Sequence, residues 1–93
     1  FMDKYKTITE GGGKSYITPI LNLSLIDYIY KIEDEAILNI CKLLSSNGYF
    51  IGGTSGLNIA CALKLIKDKN LKNKNIVVIC PDSGYRYLSK IYI

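Results

Sequence analysis

The sequence predicts an α/β fold in which a parallel β-sheet is flanked by helices. Two stretches with helical spacing alternate with three short apolar runs, and the last run, residues 76–80, is almost entirely β-branched. Strand, helix, strand, helix, strand is the order typical of a parallel sheet, and a continuous β-branched run is typical of a strand buried on both faces. We therefore expect one βαβαβ unit over residues 28–93, after an irregular entry over residues 1–27.

Glu33 or Asp34 is predicted to cap the first helix, and acidic residues crowd its first turn. It should end within residues 45–48, where Gly48 suits the left-handed conformation of a helix end. Residues 28–32 before the helix and residues 49–51 after it are predicted as short strands, the second of them buried. The predicted core face of the helix comprises Ala36, Ile37, Ile40, Cys41, Leu43 and Leu44.

The second helix is predicted to follow the glycine-rich turn at residues 52–56 and to run to about Lys69. Residues 70–75 then form a polar turn before the run at residues 76–80. The predicted core face of this helix comprises Ile59, Ala60, Leu63 and Ile66.

Composition excludes several functional classes. The 93 residues carry a net charge of +4, but the lysines are scattered and form no basic motif with interleaved aromatics, so nucleic-acid binding is not expected. No apolar stretch is long enough for a transmembrane helix. The absence of histidine removes Ser-His and Cys-His catalysis within this chain. Three widely spaced cysteines fit neither a disulfide framework nor a zinc site and suggest a reduced, intracellular setting.

Two loops follow predicted strands, at the edge of a parallel sheet where ligands gather. Residues 52–56 could cradle an anion, but they lack the lysine of a P-loop, and a tight turn with Thr54 or Ser55 capping the helix is favoured. The second loop, residues 81–88, presents Asp82 and Ser83. Turn chemistry alone would account for its residues, so the pattern leaves a simple turn and a ligand contact both open.

The second loop also resembles a known family. Residues 81–89 read Pro-Asp-Ser-Gly-Tyr-Arg-Tyr-Leu-Ser and are similar to the closing motif Pro-Asp-Ser-Gly-Glu-Arg-Tyr-Leu-Ser of the cysteine synthases, or O-acetylserine sulfhydrylases. Residues 52–56 resemble the family's Gly-[Ile/Gly]-Ser-Ser-Gly turn, and residues 9–13 resemble its Thr-Glu-Gly-Ile-Gly. The resemblance covers nearly all of the chain from about Thr7 and corresponds to the C-terminal segment of the family.

The resemblance implies a three-layer, fold-type-II enzyme that depends on pyridoxal 5'-phosphate (PLP). Such enzymes make L-cysteine from O-acetylserine and sulfide by β-replacement, are generally cytoplasmic homodimers, and have serine acetyltransferase as a candidate partner. Ser83 would hydrogen-bond the pyridine nitrogen of PLP, and Gly11 and Gly13 would lie beside the substrate. A serine hydroxyl does not force that nitrogen to stay protonated, which favours elimination across Cα and Cβ.

The chain departs from the family at Gly12, which replaces isoleucine, and at Tyr85, which replaces glutamate. The family's Schiff-base lysine and main phosphate-binding loop precede the segment that this chain resembles. We therefore expect Phe1 to be an internal starting point, no catalytic residue within these 93 residues, and no activity from them alone. The alternatives are a cystathionine β-synthase or a serine or threonine dehydratase of the same fold, and a non-catalytic α/β module that binds a partner or a small anion.

Overall fold

Two packed helices form the body of the computed structural model, which describes residue 20, residues 22–89 and residues 91–92. Helix α1 spans Asp34–Ser46 and helix α2 spans Gly53–Lys69. Short 3₁₀ helices occupy Leu23–Leu25 and Gly84–Tyr87. No helix in the described part is long and apolar enough to cross a membrane.

Both ends of α1 lie where the sequence predicts them. Glu33 is extended (φ −73°, ψ 149°) and precedes the first helical residue, while Asp34 and Glu35 place negative charge in the first turn, where the helix dipole favours it. At the other end Gly48 adopts φ +93°, a conformation that glycine accepts without steric cost. The predicted boundaries of α1 are confirmed, with Glu33 at the N-cap position, although its side chain makes no capping hydrogen bond.

Helix α2 also ends as predicted, at Lys69. Asn70 takes the left-handed conformation with φ +49°, and the N–H of Leu71 donates to the carbonyl of Ile66 at 3.0 Å, which satisfies a terminal carbonyl of the helix. Lys67 and Lys69 lie in the last turn, where positive charge complements the helix dipole.

The core lies between α1 and α2 and beneath the C-terminal turn. Cys41 and Ile37 of α1 are fully buried, and Gly56 of α2 lies against them. A Cβ atom at Gly56 would stand 2.6 Å from Sγ of Cys41, so the missing side chain allows the two helices to approach closely. Tyr87 and Ile91 complete this buried cluster.

Fewer residues of the two helices are buried than their apolar periodicity predicts. Leu43 of α1 is 59% exposed and Leu63 of α2 is 51% exposed, although both were expected to face the core. Apart from Ala60, the buried residues of α2 lie in its first turn: Gly53, Ser55 and Gly56. Helix packing in the described residues therefore uses the N-terminal end of α2 more than its predicted apolar face.

The three predicted strands do not form in the described residues. Residues 28–32 and 76–80 have no ladder partner there, and Ile51 makes only an isolated antiparallel bridge to Ser83. The run at residues 76–80, expected to be buried, has Val77 88% and Ile79 69% exposed. A parallel strand needs hydrogen-bonding neighbours, and the described residues supply none, so the predicted sheet is corrected to segments without regular secondary structure.

These two segments contact α2. Nδ2 of Asn58 donates to the carbonyl of Ile79 at 2.9 Å. Near the end of the helix, Nζ of Lys69 stands 4.5 Å from the ring centroid of Tyr28, within the range of a cation–π contact. Helix α2 thus contacts both the segment before α1 and the run that leads to the second loop.

Candidate functional site

The two loops singled out in the sequence lie side by side. The bridge between Ile51 and Ser83 is flanked by two backbone hydrogen bonds, from the N–H of Gly52 to the carbonyl of Asp82 (3.2 Å) and from the N–H of Gly84 to the carbonyl of Phe50 (3.1 Å). The turn that carries Ser83 is therefore fastened directly to the turn that precedes α2.

Asp82 caps the N terminus of α2. Its Oδ2 accepts the N–H of Thr54 at 3.2 Å, and its Oδ1 accepts the N–H of Ser55 at 3.0 Å. The hydroxyl of Ser55 lies 2.6 Å from the same Oδ1. A carboxylate at this position satisfies helical N–H groups that lack an intrahelical partner and faces the positive end of the helix dipole.

The hydrogen bonds at this cap favour the anionic carboxylate. Partial burial raises the pKa of Asp82, but the hydrogen bonds from Ser55 and Thr54, with a smaller contribution from Tyr87, outweigh burial and hold that pKa below its ordinary value of 3.8. Ser55 is fully buried, and its hydroxyl also accepts the N–H of Asp82 at 3.3 Å. The anionic carboxylate of Asp82 thus belongs to the protein itself, and both its backbone and its side chain are hydrogen-bonded to the start of α2.

The prediction that Thr54 or Ser55 caps α2 is wrong. The helix begins after Gly52, which provides no side-chain cap, and the capping carboxylate comes from a residue 27 positions beyond Ser55. A Cβ atom at Gly52 would stand 2.6 Å from Oδ2 of Asp82, so glycine makes room for that carboxylate. The place that a bound anion would take at this helix end is filled by Asp82.

Ser83 is exposed and presents a hydroxyl group to the surface. Its Oγ accepts the N–H of Tyr85 at 3.3 Å, which begins the short helix Gly84–Tyr87. Within the described residues the hydroxyl proton of Ser83 has no acceptor and can donate to a ligand. At the far end of the short helix Tyr87 is fully buried, so a rigid turn carries Ser83.

Tyr85, at the position where the resembled motif has glutamate, packs on an aromatic neighbour. Its ring meets the ring of Phe50 edge-on, with centroids 4.9 Å apart and an interplanar angle of 87°, the arrangement that aromatic pairs prefer. Phe50 in turn lies against Gly84, where a Cβ atom would stand 2.6 Å from the ring. The contact between Phe50 and Tyr85 therefore stabilises the turn that follows Ser83.

Gly11 and Gly13, predicted to lie beside the substrate, are outside the described residues. The described part contains no group of three or more side chains that could hold a metal ion.

The residue that the sequence reasoning missed is Asp82 in its capping role. No local pattern predicts this contact, because Asp82 and the start of α2 are 27 residues apart. The indirect signal was that both loops were expected at the same edge of the predicted sheet.

Comparison with known proteins identifies close relatives. The chain is 49% identical over 81 residues to a cysteine synthase of Buchnera aphidicola and 44% identical over 81 residues to cysteine synthase A of Escherichia coli. It is also 38% identical over 82 residues to a cystathionine beta-synthase of the honeybee, Apis mellifera.

These matches cover most of this chain but only part of each relative. The two cysteine synthases match 86% of the chain, which spans about a quarter (25%) of their length, and the honeybee enzyme matches 87% of the chain, which spans 16% of its length. No family model matches the chain. Over most of its length the chain is thus homologous to one segment of the cysteine synthases, as its motifs predicted.

Proposed function

We propose that these residues form the C-terminal part of a PLP-dependent cysteine synthase, which makes L-cysteine from O-acetylserine and sulfide by β-replacement. The observation that carries the proposal is the turn at residues 81–89. Its sequence differs from the family motif only at Tyr85, and it holds Ser83 exposed on a support fixed by the Ile51–Ser83 bridge and the buried Tyr87.

The polar groups of this turn fit the ring of PLP. Both carboxylate oxygens of Asp82 are engaged by Thr54 and Ser55, so this acid is turned towards α2. Ser83 is exposed and retains a donor proton, which suits an acceptor such as a pyridine nitrogen. The neutral hydroxyl donates to the ring nitrogen without transferring a proton to it.

When bound, PLP would supply an electron sink for elimination and addition across Cα and Cβ of the amino acid. The part of this chain is to orient the ring through Ser83 and to leave its nitrogen unprotonated, which weakens the sink and suits elimination. Gly11 and Gly13 would line the substrate side of the site. The lysine that binds the cofactor would come from the upstream part of the enzyme, so these 93 residues alone are expected to be inactive.

The upstream part would also supply the missing sheet. The exposed run at residues 76–80 would pair there with neighbouring strands, giving residues 28–93 the βαβαβ arrangement of a three-layer fold-type-II enzyme. The exposure of Val77 and Ile79 supports this, because apolar side chains of this size are usually buried. A cytoplasmic homodimer that binds serine acetyltransferase is the assembly proposed from the same resemblance.

The test is a Ser83→Ala variant in the longer polypeptide that joins this segment to the upstream three quarters of a cysteine synthase, such as that of Escherichia coli. Loss of one hydrogen bond should weaken PLP affinity about three- to tenfold and shift the absorbance of the bound cofactor. The melting temperature of the cofactor-free protein should change little, because the Ser83 side chain is exposed and the bond that it accepts from Tyr85 is long (3.3 Å). Unchanged affinity and spectra would remove Ser83 from the site.

A second candidate is cystathionine β-synthase, because of the 38% identity to the honeybee enzyme. Turnover of O-acetylserine with sulfide, measured against turnover of serine with a thiol amino acid, separates the two. A protein that binds a ligand saturably but supports neither reaction would instead be a non-catalytic module of the same fold.

A further inference from the structure

The attachment of Asp82 to α2 has a consequence for the residue that follows it. Asp82 and Ser83 are adjacent in sequence, yet their side chains have opposite surroundings: one is hydrogen-bonded against the helix and the other is exposed. Because Ser83 is extended (φ −105°, ψ 154°), side chains of neighbouring residues point to opposite sides of the backbone here. Fixing the Asp82 side chain on one side therefore fixes the direction of Ser83 on the other.

The Ile51–Ser83 bridge holds the backbone of this turn, but few contacts of the side chains could set that direction. The Ser83 side chain accepts a single long hydrogen bond, 3.3 Å from the N–H of Tyr85, a residue within its own turn. Asp82, in contrast, accepts from Gly52 at its carbonyl and from Thr54 and Ser55 at its carboxylate. These contacts tie the loop to a helix 17 residues long.

We propose that Asp82 is a positioning residue for the cofactor ring: its carboxylate, held on the N terminus of α2, sets the orientation at which the Ser83 hydroxyl meets the pyridine nitrogen. The inference rests on the proposed function, since Ser83 needs a ring to meet. It assigns Asp82 no contact with PLP. Its effect on the cofactor passes through Ser83 alone.

A double-mutant cycle in the longer PLP-loaded polypeptide tests this, because a cycle isolates coupling between two residues. The variants are Asp82→Ala, Ser83→Ala and the pair, and the readouts are the dissociation constant of PLP and the melting temperature of the cofactor-free protein. Asp82→Ala should weaken PLP binding about threefold or more but by no more than Ser83→Ala does, that is by at most about tenfold or 1.4 kcal/mol. In the Ser83→Ala background the same substitution should change the affinity by less than about twofold.

Asn70→Ala is the matched control. Asn70 closes the opposite end of α2 in a left-handed conformation that alanine adopts only with strain, so this variant destabilises the same helix far from Ser83. It should lower the melting temperature while leaving the affinity for PLP within about twofold of wild type. A loss of affinity in Asn70→Ala equal to that in Asp82→Ala would show that affinity follows helix stability, and the inference would be overturned.

Independent effects would also overturn the inference. If Asp82→Ala weakens PLP binding by the same factor in the wild-type and the Ser83→Ala background, Asp82 does not act through Ser83. Should Asp82→Ala fail to fold, the isosteric Asp82→Asn, which keeps one acceptor oxygen, replaces it in the cycle under the same criteria.

Failure of the wild-type polypeptide to bind PLP would reject the proposed function and this inference together. Binding by wild type with no coupling rejects the inference alone.

Discussion

The hydroxyl of Ser55 lies 2.6 Å from Oδ1 of Asp82, which follows it by 27 residues. This pair joins the start of α2 to the turn that carries Ser83, and it lies among further hydrogen bonds from Thr54 and Gly52. Two segments that are distant in sequence thereby behave as one local unit. Its strength depends on the charge of one carboxylate, which makes the unit sensitive to acid.

Stability should fall at low pH through Asp82. Its pKa is lowered in the folded state, so the anion contributes stability above the ordinary value of 3.8, and this contribution is lost as the pH falls through the folded pKa. We expect Asp82→Asn to lower the free energy of unfolding of the 93-residue chain by about 1 kcal/mol at neutral pH. The difference from wild type should shrink below about pH 4.

Urea unfolding followed by circular dichroism between pH 7 and pH 3 measures this difference. Ser89→Ala, at an exposed position in the same C-terminal turn, is the control and should follow wild type at every pH. A constant gap between Asp82→Asn and wild type over the whole range would contradict an ionised cap.

Gly56→Ala should destabilise the chain although alanine is the better helix former. Relief of the glycine penalty would gain about 1 kcal/mol, but the new Cβ would stand 2.6 Å from the buried Sγ of Cys41. Overpacking of this kind costs about 1–3 kcal/mol, so the net change should be a loss.

The double variant Gly56→Ala/Cys41→Ala identifies the cause. Removing Sγ should restore part of the stability, so that the double variant is more stable than the sum of the two single effects predicts. Additive losses in thermal or urea unfolding would mean that the contact between α1 and α2 is not at this point.

The three cysteines should react with alkylating reagents at different rates. Cys80 is exposed and Cys61 half-buried, whereas Cys41 is fully buried, and burial raises the pKa of its thiol. Since the thiolate is the reactive form, labelling of the 93-residue chain followed by mass spectrometry should proceed in the order Cys80, Cys61, Cys41.

The same experiment on the longer polypeptide tests the proposed sheet. If residues 76–80 become a paired strand there, Cys80 should be protected from labelling until the protein unfolds. If Cys80 stays as reactive as in the isolated chain, the proposed strand is contradicted. If Cys41 is labelled as fast as Cys80, the packing of α1 against α2 is contradicted.

The helices were predictable because their signals are local. Asp34 and Glu35 at the start of α1 and Gly48 after its end act through contacts within a few residues, so the sequence around them determines the boundary. Burial was less predictable. Leu43 and Leu63 follow the helical period, yet they are exposed, because periodicity indicates which face is apolar and not whether another element covers it.

The strands and the cap were not predictable in this way, because each depends on distant residues. Residues 76–80 have the composition of a buried strand, but a strand forms only beside a neighbour, and the described residues contain none. Asp82 caps α2 across 27 residues, and no local pattern announces such a contact. The role of Ser83 as a contact of the cofactor is implied by the resemblance to a family, and it stays a prediction.

The exposed run at residues 76–80 has a practical consequence for the isolated chain. These five apolar residues carry no charge and no proline, are mostly exposed, and have no strand partner in the described part. A run of this composition can pair with the same run of a second copy. Expressed without a covering partner, the chain should therefore self-associate as its concentration rises, and a lysine in place of Val77 should make it more soluble.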